Sequence, residues 1–131
     1  MVSFQTALEN FFKKGFTFSG RATRAEYWWW ALFQFQISID IMFFGSLLAN
    51  LFVGGVSGYG ILFVHIPLLI WNLLTFIPNL ALTIRRLHDA KYSGWWLLWS
   101  LFPVVGAIVL FMASISPSDT DNQYGPNPFN D

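Results

Sequence analysis

The chain has 131 residues, 55% hydrophobic and only 11% charged, with a mean hydropathy of +0.51; soluble domains carry roughly a quarter charged residues, so an ordinary water-facing surface is excluded. Seven Lys+Arg balance seven Asp+Glu, so net charge points to neither nucleic acid nor an acidic partner. The absence of cysteine removes disulfides, thiol catalysis, cysteine zinc sites and a lipid-modified N-terminal Cys.

Residues 3–14 set Phe4, Leu8, Phe11 and Phe12 at helical spacing, opposite Gln5, Glu9, Asn10 and Lys13. This pattern predicts a short amphipathic helix lying in the membrane interface, ended by Gly15. The first long apolar run begins only near Tyr27 and exceeds the roughly 7–15 residues of a signal h-region, so no cleavable secretory signal is expected.

Thr23 followed by Glu26 matches a capping box, in which hydroxyl and carboxylate each satisfy a backbone N–H at a helix start. It opens a first transmembrane helix over residues 24–50, whose apolar part from Tyr27 covers roughly 36 Å. Gly54, Gly55, Gly58 and Gly60 form an uncharged connection at the far face. A second crossing occupies 61–88. Pro67 and Pro78 remove helical N–H donors within it, and neighbouring groups must absorb the kinks. After the charged turn around Lys91, residues 94–115 read as a third crossing of roughly 31 Å, bent at Pro103 or Gly106. Residues 116–131 form a polar tail. The predicted fold is therefore an all-α integral membrane protein, with three transmembrane helices and an N-terminal interfacial amphipathic helix.

Orientation follows from the cations. Lys13, Lys14, Arg21 and Arg24 precede the first crossing, and Arg85, Arg86 and Lys91 lie between the second and third. With three crossings all seven share one face, which the positive-inside rule makes cytoplasmic. The N-terminus is then inside and the C-terminus outside. Trp28, Trp29, Trp30, Trp95, Trp96 and Trp99 cluster at that same face, as interfacial indoles do.

Four motifs stand in order: Phe18-Ser19-Gly20-Arg21-Ala22-Thr23-Arg24-Ala25-Glu26-Tyr27-Trp28; Arg85-Arg86-Leu87-His88-Asp89 with Trp95-Trp96; Pro103 with Gly106; and Asn122-Gln123-Tyr124-Gly125-Pro126. Together they resemble the YhaH-like bacterial inner-membrane proteins, a domain of unknown function, over nearly the whole chain. The resemblance implies a small multi-span plasma-membrane protein and brings no activity, cofactor or catalytic residue. The family often has a basic residue where Gln123 stands, which argues against a tail that holds an anion.

Candidate contacts follow from the charges. If the second helix runs through the basic turn, Arg85 meets His88 and Asp89 at i+3 and i+4, with Arg86 and Lys91 facing outward. Arg21, Arg24, Arg85, Arg86, His88, Asp89 and Lys91 then form either a topology anchor with internal ion pairs or a pocket for anionic phospholipid, with the anchor favoured. His88 beside Asp89 invites acid–base chemistry, but neighbours on a helix point about 100° apart, and no nucleophile motif accompanies them. Asp40 and Asn72 fall at similar depth, roughly 15–16 Å, and are expected to pair by hydrogen bond within the membrane. His65 is too far from His88 along the chain to share a metal and reads as an interfacial group. Asp119-Thr120-Asp121-Asn122 opens like a calcium loop, but Tyr124 and Asn130 occupy the positions that need Gly and Glu.

The leading reading is a small, non-enzymatic interaction or structural component of the bacterial plasma membrane, with no cofactor and no metal. Its expected partners are membrane lipids, anionic phospholipid among them, a second copy or another membrane protein, and no nucleic acid. A subunit of an oligomeric transporter or channel using Asp40 is the alternative, and an enzyme of lipid head groups the third.

Overall fold

The computed structural model describes residues 2–129, so Asn130 and the last residue of the expected tail lie outside the described residues. Among the described residues the regular structure is helical, apart from one isolated antiparallel bridge between Asn122 and Gly125. The helices are α1 (Phe4–Lys13), α2 (Arg24–Val53), α3 (Leu62–Asp89) and α4 (Pro103–Ile115), with 3-10 segments at Gly58–Ile61 and Gly94–Leu101. α2 and α3 are each long and apolar enough to cross a membrane; α4 is apolar but shorter.

The chain divides into two compact units: Met1–Trp30 with Ile77–Asp131, and Ala31–Phe76. In the second unit Trp71 Nε1 donates to Gln34 Oε1 at 3.1 Å, joining the middle stretches of the two long helices. They approach closely at Gly45, where a Cβ would lie 2.5 Å from the Phe63 carbonyl oxygen. Pro67, four residues on, has no N–H to give that carbonyl, so the oxygen is one the helix cannot satisfy. A glycine backbone can close on it with Cα–H contacts. Polar side chains bond to their own helix one turn back: His65 to the Ile61 carbonyl, Asn72 to Leu68, and Thr75 to Trp71. Leu51, Leu73 and Leu74 stay outward and exposed, an apolar exterior suited to hydrocarbon.

Asp40 and Asn72 do not pair. Asp40 accepts from Gln36 at 2.9 Å, while Asn72 donates to the Leu68 carbonyl at 2.8 Å. Counting from the connection gave them similar depth, but the register is set by Gly45 against Phe63, and Asp40 shares its surroundings with Pro67 instead.

In the first unit, α1 opens with Ser3, whose hydroxyl accepts from the Thr6 N–H at 3.2 Å. Its apolar face packs against the start of α2: buried Phe11 stacks on Trp30, and Phe4 meets Trp29 edge-on. Trp30 Nε1 donates to Asn79 at 2.6 Å. Leu87, Ala90 and Ala113 form a small core between α3 and α4, flanked by Tyr92, Leu97 and Leu110.

Residues 94–115 are not one continuous helix. The 3-10 segment ends at Phe102, which is extended (φ −106°, ψ 100°), and Pro103 starts α4. Proline disfavours the helical region for the residue before it and begins a helix well, so a break at this bond is the local preference. Gly106 then lies so close that a Cβ would sit 2.4 Å from the Ser100 Cα, and the two pieces pack as a hairpin. With 13 residues, α4 measures about 20 Å, short of a hydrocarbon core of about 30 Å.

Gly45→Val should lower stability by about 1–3 kcal/mol, because its methyl groups force α2 away from the Phe63 carbonyl. Thermal unfolding in detergent measures the loss, with exposed Leu47→Val, expected to stay within about 0.5 kcal/mol, as the control.

Candidate functional site

Charge in this chain converges where α2 begins and α3 ends. Gly20, at φ +88°, turns the backbone so that its carbonyl faces the His88 ring and the Ala22 N–H reaches the Arg85 carbonyl at 3.0 Å. Thr23 caps α2 by accepting from the Glu26 N–H at 3.2 Å. Only half of the capping box forms, because the Glu26 carboxylate turns instead to Arg85 Nη1, also at 3.2 Å.

Asp89, fully buried at the end of α3, is the hub. It accepts from Arg21 Nε at 2.9 Å, from Arg86 Nη1 and from the Ser118 hydroxyl. Arg21 spends all five N–H donors: beyond Nε, its Nη1 reaches the carbonyls of Thr120 and Gly125, and its Nη2 those of Asp119 and Asp89. Arg86 adds the Ala22 carbonyl at 3.0 Å and that of Ser116. The Asp119 N–H closes the circuit on the Asp89 carbonyl at 2.7 Å.

Three buried arginines therefore face two buried carboxylates. The uncompensated positive charge lies at the C-terminal, negative end of the α3 dipole and among tail carbonyls, both of which stabilise cations. Arg85 Nε, Arg85 Nη2 and Arg86 Nε are buried without a hydrogen-bond partner among the described residues.

The tail is folded onto this cluster. Asn122 and Gly125 exchange backbone hydrogen bonds, and the Asn122 amide donates to the His88 carbonyl at 3.2 Å. Tyr124 stacks on the His88 ring, centroids 3.9 Å apart and parallel within 1°. Gly125 is at φ +140°, which favours glycine, and its carbonyl points to Arg21. The side-chain amide of Asn122 also bonds to Asp119, holding that carboxyl below its ordinary range. Arg24 and Trp28 join α2 to the end of α4 through the carbonyls of Ile115 and Ser114.

The expected residues thus meet, with changed roles. Arg86 points inward, not outward, and it is Arg86 and Arg21, not Arg85, that hold Asp89. His88 bonds to Gly20 and stacks on Tyr124 and forms no pair with Asp89. Lys91, exposed at φ +79°, does face out. The tail lies at the basic end of the long helices, where three full crossings would put it at the other. The acceptors it offers Arg21 and Arg86 are main-chain oxygens of Ser116, Asp119, Thr120 and Gly125. Every residue carries such an oxygen, so no side-chain pattern marks them. The one signal is arithmetic: a buried Arg21 needs five acceptors, and its neighbours in sequence cannot supply them.

The model of a family described as "Protein of unknown function (DUF805)" matches residues 15–126. Inner membrane protein YhaH of Escherichia coli (strain K12) is 32% identical over 112 residues, 85% of this chain and 86% of the relative. Inner membrane protein YhaI of the same strain is 36% identical over 116 residues, 85% of each chain. No solved structure matches.

Asp89→Asn leaves Arg21 and Arg86 buried without their counter-charge and should cost about 3–5 kcal/mol, whereas Lys91→Gln should change stability by less than about 0.5 kcal/mol. Thermal unfolding in detergent gives both values. Limited proteolysis should also cut Asp89→Asn within 116–126 under conditions in which the parent chain resists.

Proposed function

The chain belongs to the DUF805 family of proteins of unknown function, and on that footing we propose that it is a small integral component of the bacterial inner membrane, acting by interaction rather than by chemistry. Its ion-paired cap faces the cytoplasm. The names of its relatives supply the membrane, and two long apolar helices fit it. The seven cations all belong to the cap or precede α2, and the positive-inside rule then assigns the side.

In this reading α2 and α3 cross the bilayer, and residues 94–115 form a re-entrant hairpin that enters and leaves by the cytoplasmic face. Non-helical backbone such as Phe102 has its polar groups satisfied there, the N–H donating to the Trp99 carbonyl at 3.0 Å and the carbonyl accepting from the Gly106 N–H at 2.7 Å, which is what membrane depth demands. One observation carries the topology. Arg21 and Arg86, at the charged ends of α2 and α3, donate to tail carbonyls of Ser116, Asp119, Thr120 and Gly125, which a tail on the opposite face could not offer. Both chain ends are then cytoplasmic.

The arginines serve as anchor and clamp, since Arg21 has no donor left for an anionic head group and the unpartnered donors of Arg85 and Arg86 are buried. Lys13, Lys14 and Lys91 remain exposed for a partner. A transporter built on Asp40 draws less support: that carboxyl is held by Gln36, in a groove otherwise lined by apolar residues such as Ile37, Phe44 and Pro67.

Because the chain has no cysteine, single-cysteine labelling in intact spheroplasts tests the topology directly. Ser57→Cys should react with a membrane-impermeant maleimide, and Asn127→Cys only after the membrane is opened; labelling of Asn127→Cys in intact cells overturns the reading. The interaction role predicts amine cross-linked adducts heavier than the monomer, formed through Lys13, Lys14 or Lys91 and absent when all three are arginine. A chain that stays monomeric under cross-linking refutes that role.

A further inference from the structure

His88 is fixed in orientation from two directions. Its Nδ1 lies 3.0 Å from the Gly20 carbonyl, its ring face is covered by Tyr124, and it is 8% exposed. A carbonyl oxygen only accepts, so Nδ1 must carry the proton, and in the neutral ring Nε2 is left as a bare acceptor. That nitrogen has no hydrogen-bond partner among the described residues. The ring lines a cleft of about 680 Å³ whose other polar side chains are Ser93, Gln123 and Tyr124 and whose apolar ones are Phe18, Ile84, Trp95, Leu97 and Leu98, and Nε2 lies beside Gly94, which lines it too. Gly94 opens the way: a Cβ there would lie 3.8 Å from Nε2 and 3.1 Å from the Ile84 side chain.

We propose that this cleft binds a membrane phospholipid through a head-group N–H donor, a primary ammonium, accepted by His88 Nε2, with the adjoining part of the lipid along Ile84, Trp95 and Leu98. Three features choose this occupant. The volume falls within the roughly 300–1,000 Å³ of small-molecule sites, and its lining is mainly apolar with a few polar groups, the mixture that suits an amphiphile. Trp95 and Leu98, 77% and 55% exposed, make the apolar wall continuous with a surface suited to lipid. The lining includes neither Lys nor Arg, so the site offers an acceptor to a donor rather than a cation to an anion. Gln123 and Ser93 add neutral polar groups beside it, in keeping with a zwitterionic head group.

The inference rests on the membrane setting proposed above but not on its topology, and it is tested on purified protein, where failure of one leaves the other standing. The whole chain in mild detergent is mixed with equal amounts of dioleoyl phosphatidylethanolamine and dioleoyl phosphatidylcholine, which differ only in that methyl groups replace every N–H of the ammonium. Native mass spectrometry then reads the retained lipid. The ethanolamine lipid should be kept about tenfold over the choline lipid, the worth of one hydrogen bond to a charged group. His88→Phe, which preserves stacking on Tyr124, should bring the ratio close to one. If that variant does not fold, Gly94→Val decides, since it leaves the Gly20 bond intact and covers Nε2. Equal retention by the parent chain, a preference that survives the deciding variant, or stronger retention of phosphatidylglycerol in a parallel mixture would each overturn the proposal.

Discussion

A buried carboxylate shared by two buried arginines is the constraint on which the first unit is built. Asp89 alone could neutralise one cation; by taking Arg21 on one oxygen and Arg86 on the other, it ties the approach to α2, the end of α3 and, through Ser118, the tail into one cluster. Burying such groups is costly, and the cost is recovered only when nearly every donor finds an acceptor. That demand explains why residues 116–125 fold back. They bring four main-chain oxygens to guanidinium groups that would otherwise be desolvated without partners. A cluster of this kind contributes less net stability than its many bonds suggest, but it admits few alternative arrangements, because each misplacement strands a charge.

Away from the cap, close backbone approaches at glycine do the organising. In hydrocarbon there is little hydrophobic drive between helices, so proximity of backbones matters more than side-chain burial. Gly45 meets the carbonyl that Pro67 leaves unsatisfied, and Gly106 receives the Ser100 backbone after the break at Pro103. In the first place a glycine on the facing helix covers the defect a proline leaves; in the second, a glycine one turn into the helix that Pro103 starts lets the preceding segment pack against it. The outward surfaces of α2 and α3 need only be apolar, and they are.

The cap also separates two kinds of polar group. The arginines are turned inward, Arg21 with every donor taken and Arg85 and Arg86 with their unpartnered donors buried, whereas His88 leaves Nε2 without a partner beside a cleft. The stack on Tyr124 links that nitrogen to the clamp, since Tyr124 lies in the turn between Asn122 and Gly125 that Arg21 secures. Positioning of the cleft and integrity of the ion cluster are therefore one structural matter.

By itself, the sequence determined the membrane class, the start of α2 at the Thr23 cap, the two long helices and the convergence of Arg21, Arg85, Arg86, His88 and Asp89 at one end. Each of these depends on hydropathy, length or local spacing, which are properties of a single stretch of chain. Only tertiary structure decided that Arg86 turns inward, that Glu26 leaves its capping box for Arg85, that Asp40 and Asn72 stay on their own helices, and that residues 94–115 double back to deliver the tail to the basic end. Those outcomes depend on which faces meet and at what register. The groups that settle them are mainly carbonyl oxygens and glycine contacts: the first are common to all residues and the second are invisible until another backbone arrives.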